Sequence, residues 1–212
     1  MPSAMKYWPV LCALLAAAPL HAAEDVDFDP NAISEIDAIN CHIDAPTYNG
    51  FAMAIGGEDS IAEKRGWKKV ESGNVFMNEY ELREPILVTG THSTRRIGFT
   101  ANAIIAILDM PDPAVIAREE EVENALDPEP LIAELVASGR ATRAQVEAEI
   151  KFRKFMGERV IVDVVEQPEE GASFGVHTKI ARTISNVTTH PGKTLYGCSY
   201  SIELLDKNGQ PL

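Results

Sequence analysis

Cys41 and Cys198 are the residues whose chemistry is easiest to state. The chain has three cysteines, and the third, Cys12, lies inside an N-terminal apolar run that reads as a removable leader. Two thiols then remain, and in an oxidising compartment two thiols pair. From Thr194 every second residue is Tyr196, Cys198, Tyr200, Ile202 and Leu204, with Gly197, Ser199, Ser201 and Glu203 between them. That period of two puts Cys198 on the apolar face of a strand. Ile39, Cys41 and Ile43 alternate with Asn40 and His42, so Cys41 is also expected on the apolar side of a strand. A Cys41–Cys198 disulfide is therefore predicted. It would close a loop of about 157 residues, worth at most about 5 kcal/mol in the chain-entropy view. Without a Cys-x-x-Cys spacing a redox dithiol is not expected. Cys41-His42 lacks the upstream cysteine that haem attachment needs.

Acid–base or metal chemistry would fall to His42, His92, His177 and His190, which outlast a leader of 22 residues, together with some of the 32 Asp and Glu. No two of these histidines stand at a metal-binding spacing such as His-Glu-x-x-His, so no metal site is predicted, and no cofactor motif is present. There is no Gly-x-Ser-x-Gly, no Ser-x-x-Lys and no phosphate-binding glycine loop. Glu119, Glu120, Glu121 and Glu123 read as a solvated helix face that tolerates substitution. Asp25, Asp27, Asp29 and Asn31 match half of a calcium loop, but Pro30 and Ile36 stand where glycine and glutamate are required. Asn186-Val187-Thr188 is a chance match to a glycosylation triplet. Phe51 and Trp67 are candidates for the wall of a small-ligand pocket between sheet and helix, against the plainer reading of Trp67 as a plug. Tyr196 and Tyr200 are expected to pack around Cys198.

Residues 1–22 carry Lys6, an apolar run of 13 residues from Trp8 to Leu20, and a small-residue exit at Ala22-Ala23. That is the pattern of an export signal, too short for a span of about 20 apolar residues. The mature protein is then expected in the periplasm or secreted, with no integral membrane segment. The charge is −13, and losing Lys6 makes the mature chain more acidic. Such a field repels nucleic acid and anionic membrane surfaces, so neither is an expected partner.

The elements that must position these groups follow from pattern. Residues 23–35 form a flexible acidic lead-in, and 36–212 a single domain. Residues 36–43 read as a strand. Asp44 and Pro46 start a helix that Gly56-Gly57 ends, and Ser60 with Glu63 caps a short second one. Strands are expected at 75–82, 86–90 and 96–108, the last with Ile97, Phe99, Ala103, Ile105 and Ile107 on one side. The period turns helical from Pro111 to Gly157, an insertion in which Asp127-Pro128 and the Thr142–Gln145 box start helices. The spacing of Leu131, Leu135, Gly139, Thr142 and Glu147 resembles the short helical hairpins appended to many bacterial proteins, a local structure type rather than a family signature. Val115, Val122 and Leu126 form an apolar stripe on the insertion, the candidate partner surface. Strands at 159–166, 174–188 and 193–205 close the chain, with a turn at His190-Pro191-Gly192-Lys193. Strands that follow one another without helices between them argue for an α+β fold: an antiparallel sheet, an N-terminal helix packed on it, and an inserted helical segment.

These features point to an exported, non-catalytic binding or protein-interaction module whose partner, a protein or a small ligand, the sequence does not name. A cell-envelope hydrolase using the histidines and carboxylates, with or without a metal, is the rival, and a small-ligand carrier is the third reading.

Overall fold

The computed structural model describes residues 28–168 and 173–212. The export-signal residues 1–22, and 23–27 of the lead-in, lie outside the described residues.

Seven strands form one antiparallel sheet in the order β1-β2-β3-β4-β7-β6-β5. It consists of two meanders joined along one seam. The first runs β1 (Lys68–Val70), β2 (Asn78–Thr89), β3 (His92–Phe99) and β4 (Ala103–Leu108). The second runs β5 (Met156–Glu166), β6 (Gly175–Ser185) and β7 (Thr194–Leu205). The seam is the β4–β7 pairing, where Ile104 lies opposite Cys198 and Ala106 opposite Tyr196. Three helices precede the sheet: α1 (Glu35–Ile39), α2 (Ala45–Met53) and α3 (Ile61–Lys64). The insertion between β4 and β5 holds α4 (Ala114–Glu119) and the hairpin of α5 (Glu129–Ala137) and α6 (Arg143–Glu149). The α+β architecture read from the sequence is therefore the one observed.

Local rules explain most of these elements. The Asp44 carboxylate accepts from Thr47 N at 2.7 Å, as an N-cap should. Thr142 and Gln145 make the full reciprocal box, and Gly139 in the left-handed region (φ +67°) ends α5. The core lies between α1, α2 and one sheet face. It gathers Ala38, Ile39, Tyr48 and Phe51 against Tyr80, Ile97, Phe99, Ile104, Ile180, Ile184, Tyr196, Cys198 and Tyr200. Met77, Ile107 and Leu195 make a smaller cluster of their own.

Three expectations are corrected. Residues 36–43 are not a strand: Ser34 Oγ accepts from Ile36 N and Asp37 N, which starts α1, and the chain then turns through Cys41 at φ +60°. The alternation of Ile39, Cys41 and Ile43 was a helix end and a turn, not a pleat. Within the lead-in, residues 29–35 form a 3-10 turn and the start of α1, and Arg65 bonds to Glu35 and to the carbonyls of Asn31 and Ile33. The stretch 96–108 is two strands, because Thr100 N bonds to Ala103 O at 2.9 Å and reverses the chain. In that hairpin Ile97 pairs with Ala106 and Phe99 with Ile104, while Ile105 and Ile107 pack in the smaller cluster. The stretches 75–82 and 86–90 merge into β2, whose register to β3 shifts between Glu81 and Ile86.

Candidate functional site

The predicted disulfide is present. Cys41 and Cys198 are bonded, with Cα atoms 5.4 Å apart. It fixes the turn after α1 to the middle of β7, and that turn is one wall of an open cavity of about 420 Å³. Asn40, Cys41 and His42 form this wall, Val88 and Thr89 come from the end of β2, Arg159 and Ile161 from β5, and Arg182 and Tyr196 from β6 and β7. Glu120 reaches in from the end of α4.

The floor is polar and tightly tied. Arg182 is 4% exposed. Its Nη1 donates to Ile39 O (2.6 Å) and Gly197 O (3.0 Å), and its Nη2 donates to Asn40 Oδ1 at 3.3 Å. Its Nε lies 3.3 Å from Glu120 Oε2, and the guanidinium stacks 4.2 Å from the centre of the Tyr196 ring. Burial pulls the Arg182 pKa down, with Tyr196 and Glu120 opposing. Tyr196 donates to Glu120 Oε1 at 2.9 Å, and Thr89 Oγ1 donates to the same oxygen at 3.1 Å. Burial pushes the Tyr196 hydroxyl well up, against the pull of Arg182. Arg159 Nε donates to the Glu120 carbonyl at 2.8 Å, and its Nη2 lies 3.6 Å from Glu120 Oε2.

Glu120 is therefore not part of a solvated face. The helix stops at Glu119, Glu120 caps it, and Glu121 turns the chain at φ +54°. Glu119, Glu121 and Glu123 stay exposed while the Glu120 side chain turns inward. Gly157 on β5 makes room for this loop: a Cβ there would lie 2.1 Å from the Glu123 carbonyl oxygen.

The other candidate residues fall elsewhere. Phe51 and Trp67 lie in the core beneath the sheet. Both are buried against Phe99, at ring-centre distances of 6.0 and 6.4 Å, and Arg65 lies over both rings. Tyr200 is stacked on Tyr48 at 4.3 Å, with its hydroxyl donated to Ala38 O. Val115, Val122 and Leu126 do not share a stripe. Val122 is in the core while Val115 and Leu126 are exposed, because the turn at Glu121 ends the helix that would have aligned them.

The four histidines do not converge. His42 lies 3.6 Å from Asp37, His92 3.1 Å from Glu119, His177 2.7 Å from Asp163, and His190 2.8 Å from Glu79. Among the described residues no three His, Cys, Asp or Glu stand together as a metal would need. The Glu79–His190 pair was not foreseen. Glu79 is fully buried, accepts from Ser72 Oγ at 2.5 Å, and lies 2.9 Å from Arg96 Nε. Thr189 Oγ1 sits 3.0 Å from His190 Nδ1, which completes this second polar cluster. In sequence Glu79 is an ordinary polar position between Asn78 and Tyr80, and nothing in that pattern signals burial.

Among the described residues no helix is long and apolar enough to cross a membrane. No protein-family model matches the chain, and no curated protein or solved structure is significantly similar to it.

Proposed function

We propose that this is an exported, non-catalytic binding module, periplasmic or secreted, whose ligand sits in the cavity beside the disulfide. One observation carries the reading. Five elements distant in sequence place Asn40, Thr89, Glu120, Arg182 and Tyr196 around one open cavity, and these side chains are bonded to each other rather than poised for reaction. Such a mutually satisfied floor is rigid, and a rigid polar concavity favours recognition. The absence of catalysis is supported by the state of the candidate groups. Cys41 is spent in the disulfide, and the Tyr196 hydroxyl is donated to a carboxylate and held protonated by burial. Among the four histidines only His42 lines the cavity. The disulfide fits an oxidising compartment, which supports export.

Thermal unfolding of the mature chain against a library of small neutral, cationic and anionic compounds tests the reading. A ligand at 100 times its Kd adds about 2.7 kcal/mol, a rise in Tm of about 5–10 °C for a chain of this length. Ile161→Trp fills the mouth of the cavity from an exposed position and should abolish the rise. A library without any stabilising compound, or one whose hits ignore Ile161→Trp, would count against the cavity as a binding site.

A further inference from the structure

The cavity is asymmetric in what it has left to offer. The Glu120 carboxylate already receives Thr89 and faces Arg182, the Asn40 side-chain oxygen receives Arg182, and the one Tyr196 hydroxyl proton lies between the two acceptors, 2.9 Å from Glu120 Oε1 and 3.1 Å from Asn40 Oδ1. Asn40 Nδ2 is donated to Val88 O. Arg159 is different. Among the described residues the only hydrogen bond of its side chain is from Nε to the Glu120 carbonyl, so both terminal nitrogens keep their donors. Its side chain is 41% exposed, and Nη2 stands 3.6 Å from Glu120 Oε2, too far for a hydrogen bond. Two guanidinium groups, Arg159 and Arg182, face one carboxylate, Glu120, which leaves one positive charge at the cavity uncompensated. Beside Arg159 the wall is apolar, through the exposed Ile161 side chain on β5 and Val88 on β2.

We infer that the cavity selects an organic monocarboxylate, with the terminal nitrogens of Arg159 as the bidentate anchor and Ile161 against the ligand's apolar part. A guanidinium fork matches a carboxylate with two parallel N–H···O bonds. One uncompensated charge suits a monoanion, whereas a phosphate dianion would bring a second negative charge toward Glu120. His42, whose side chain is 66% exposed, also lines the cavity, and its Nδ1 lies 3.6 Å from Asp37. The inference rests on the cavity being the ligand site, and it adds the chemical class and the anchoring residue.

The test is an amide-resolved NMR titration of the mature chain with hexanoate, hexanamide and inorganic phosphate, in wild type, Arg159→Gln and Ile161→Trp. Hexanoate should shift the amides of 40–42 and 159–161, and hexanamide should bind at least about ten-fold more weakly. Arg159→Gln should lose at least about ten-fold in hexanoate affinity with its Tm within 2 °C of wild type, a control that separates anchoring from folding. Ile161→Trp, which keeps the charge, should lose hexanoate as well. Equal binding of acid and amide, stronger binding of phosphate, or full hexanoate affinity in Arg159→Gln overturns the inference. If a neutral or cationic library compound binds and Ile161→Trp removes it while hexanoate does not bind, the cavity reading stands and the carboxylate inference falls. If no compound binds the wild type, both fall.

Discussion

Arg182 on β6 and Ile39 at the end of α1, 143 positions apart in sequence, share a 2.6 Å hydrogen bond from Nη1 to the backbone carbonyl. That bond ties the N-terminal helix to the sheet floor beside the disulfide. Removing the guanidinium would take a donor from the Ile39 and Gly197 carbonyls and one cation away from Glu120. Breaking one side of a buried ion pair costs about 3–5 kcal/mol. Arg182→Met is therefore expected to lose about 3 kcal/mol or more in urea unfolding. Arg182→Lys should recover only part of that, since a point charge cannot make three directed bonds. A Met variant within 0.5 kcal/mol of wild type would remove Arg182 from its central role.

Adjacent glutamates should behave oppositely. Glu119 is exposed with its carboxylate 3.1 Å from His92, whereas Glu120 receives Tyr196 and Thr89 and faces Arg182. Glu119→Gln is expected within about 0.5 kcal/mol of wild type, the usual range for a surface site. Glu120→Ala is expected to cost about 3 kcal/mol, because Arg182 is left buried without its carboxylate. Denaturant midpoints of the two variants, measured side by side, decide this; equal costs would contradict the inward turn of Glu120.

This contrast also shows where sequence pattern stops being informative. Caps, turn glycines and period-two strands are local, so α2, α6, β6 and β7 were legible from residues a few positions apart. The pairing of Cys41 with Cys198 was also legible, by elimination of Cys12 and by the apolar face of β7. Its reasoning was half wrong, because Cys41 lies in a left-handed turn rather than a strand. The cavity was not legible. Its members come from α1, β2, α4, β5, β6 and β7, and only the β4–β7 seam and the turn at Glu121 bring them together. A single left-handed residue inside a run of glutamates carries no signal in composition, yet it decides which glutamate faces the core.

Reducing the disulfide should lower stability by up to about 5 kcal/mol, since it closes a loop of 157 residues in the unfolded chain. Cys198 is fully buried and Cys41 nearly so, so alkylation under native conditions should label neither. Mass spectrometry of the denatured, unreduced mature chain should find no free thiol. Urea midpoints that coincide with and without reductant would show that the bond contributes nothing.

Alkaline pH should unfold the protein abruptly. Tyr48, Tyr80, Tyr196 and Tyr200 are the tyrosines among the described residues, and burial pushes all four pKa values above the ordinary 10.0. The neutral phenol is the form the fold favours. Above pH 10 the unfolded chain releases protons that the folded chain keeps, so stability is intact below that value and falls as pH rises. The slope is about 1.4 kcal/mol per pH unit for each tyrosine in the window. Absorbance at 295 nm should stay flat through pH 10 and then rise in one step together with loss of near-ultraviolet dichroism. A quarter or more of the absorbance change appearing near pH 10 with the fold intact would mean that at least one of these hydroxyls is open to water.

The Glu79–His190 pair joins β2 to the turn before β7 at 2.8 Å, with Glu79 fully buried. Ser72 and Arg96 share the same carboxylate, so either single change, Glu79→Gln or His190→Gln, leaves other partners in place and should cost about 1–3 kcal/mol. If the pair is a unit, the double variant should cost less than the two single costs combined, with a coupling energy of about 1 kcal/mol or more. Urea unfolding of the four proteins at pH 7 measures it. Additive costs would mean that Arg96 and Ser72 hold Glu79 unaided and that His190 is buried for its packing against neighbouring residues rather than for its ring nitrogens.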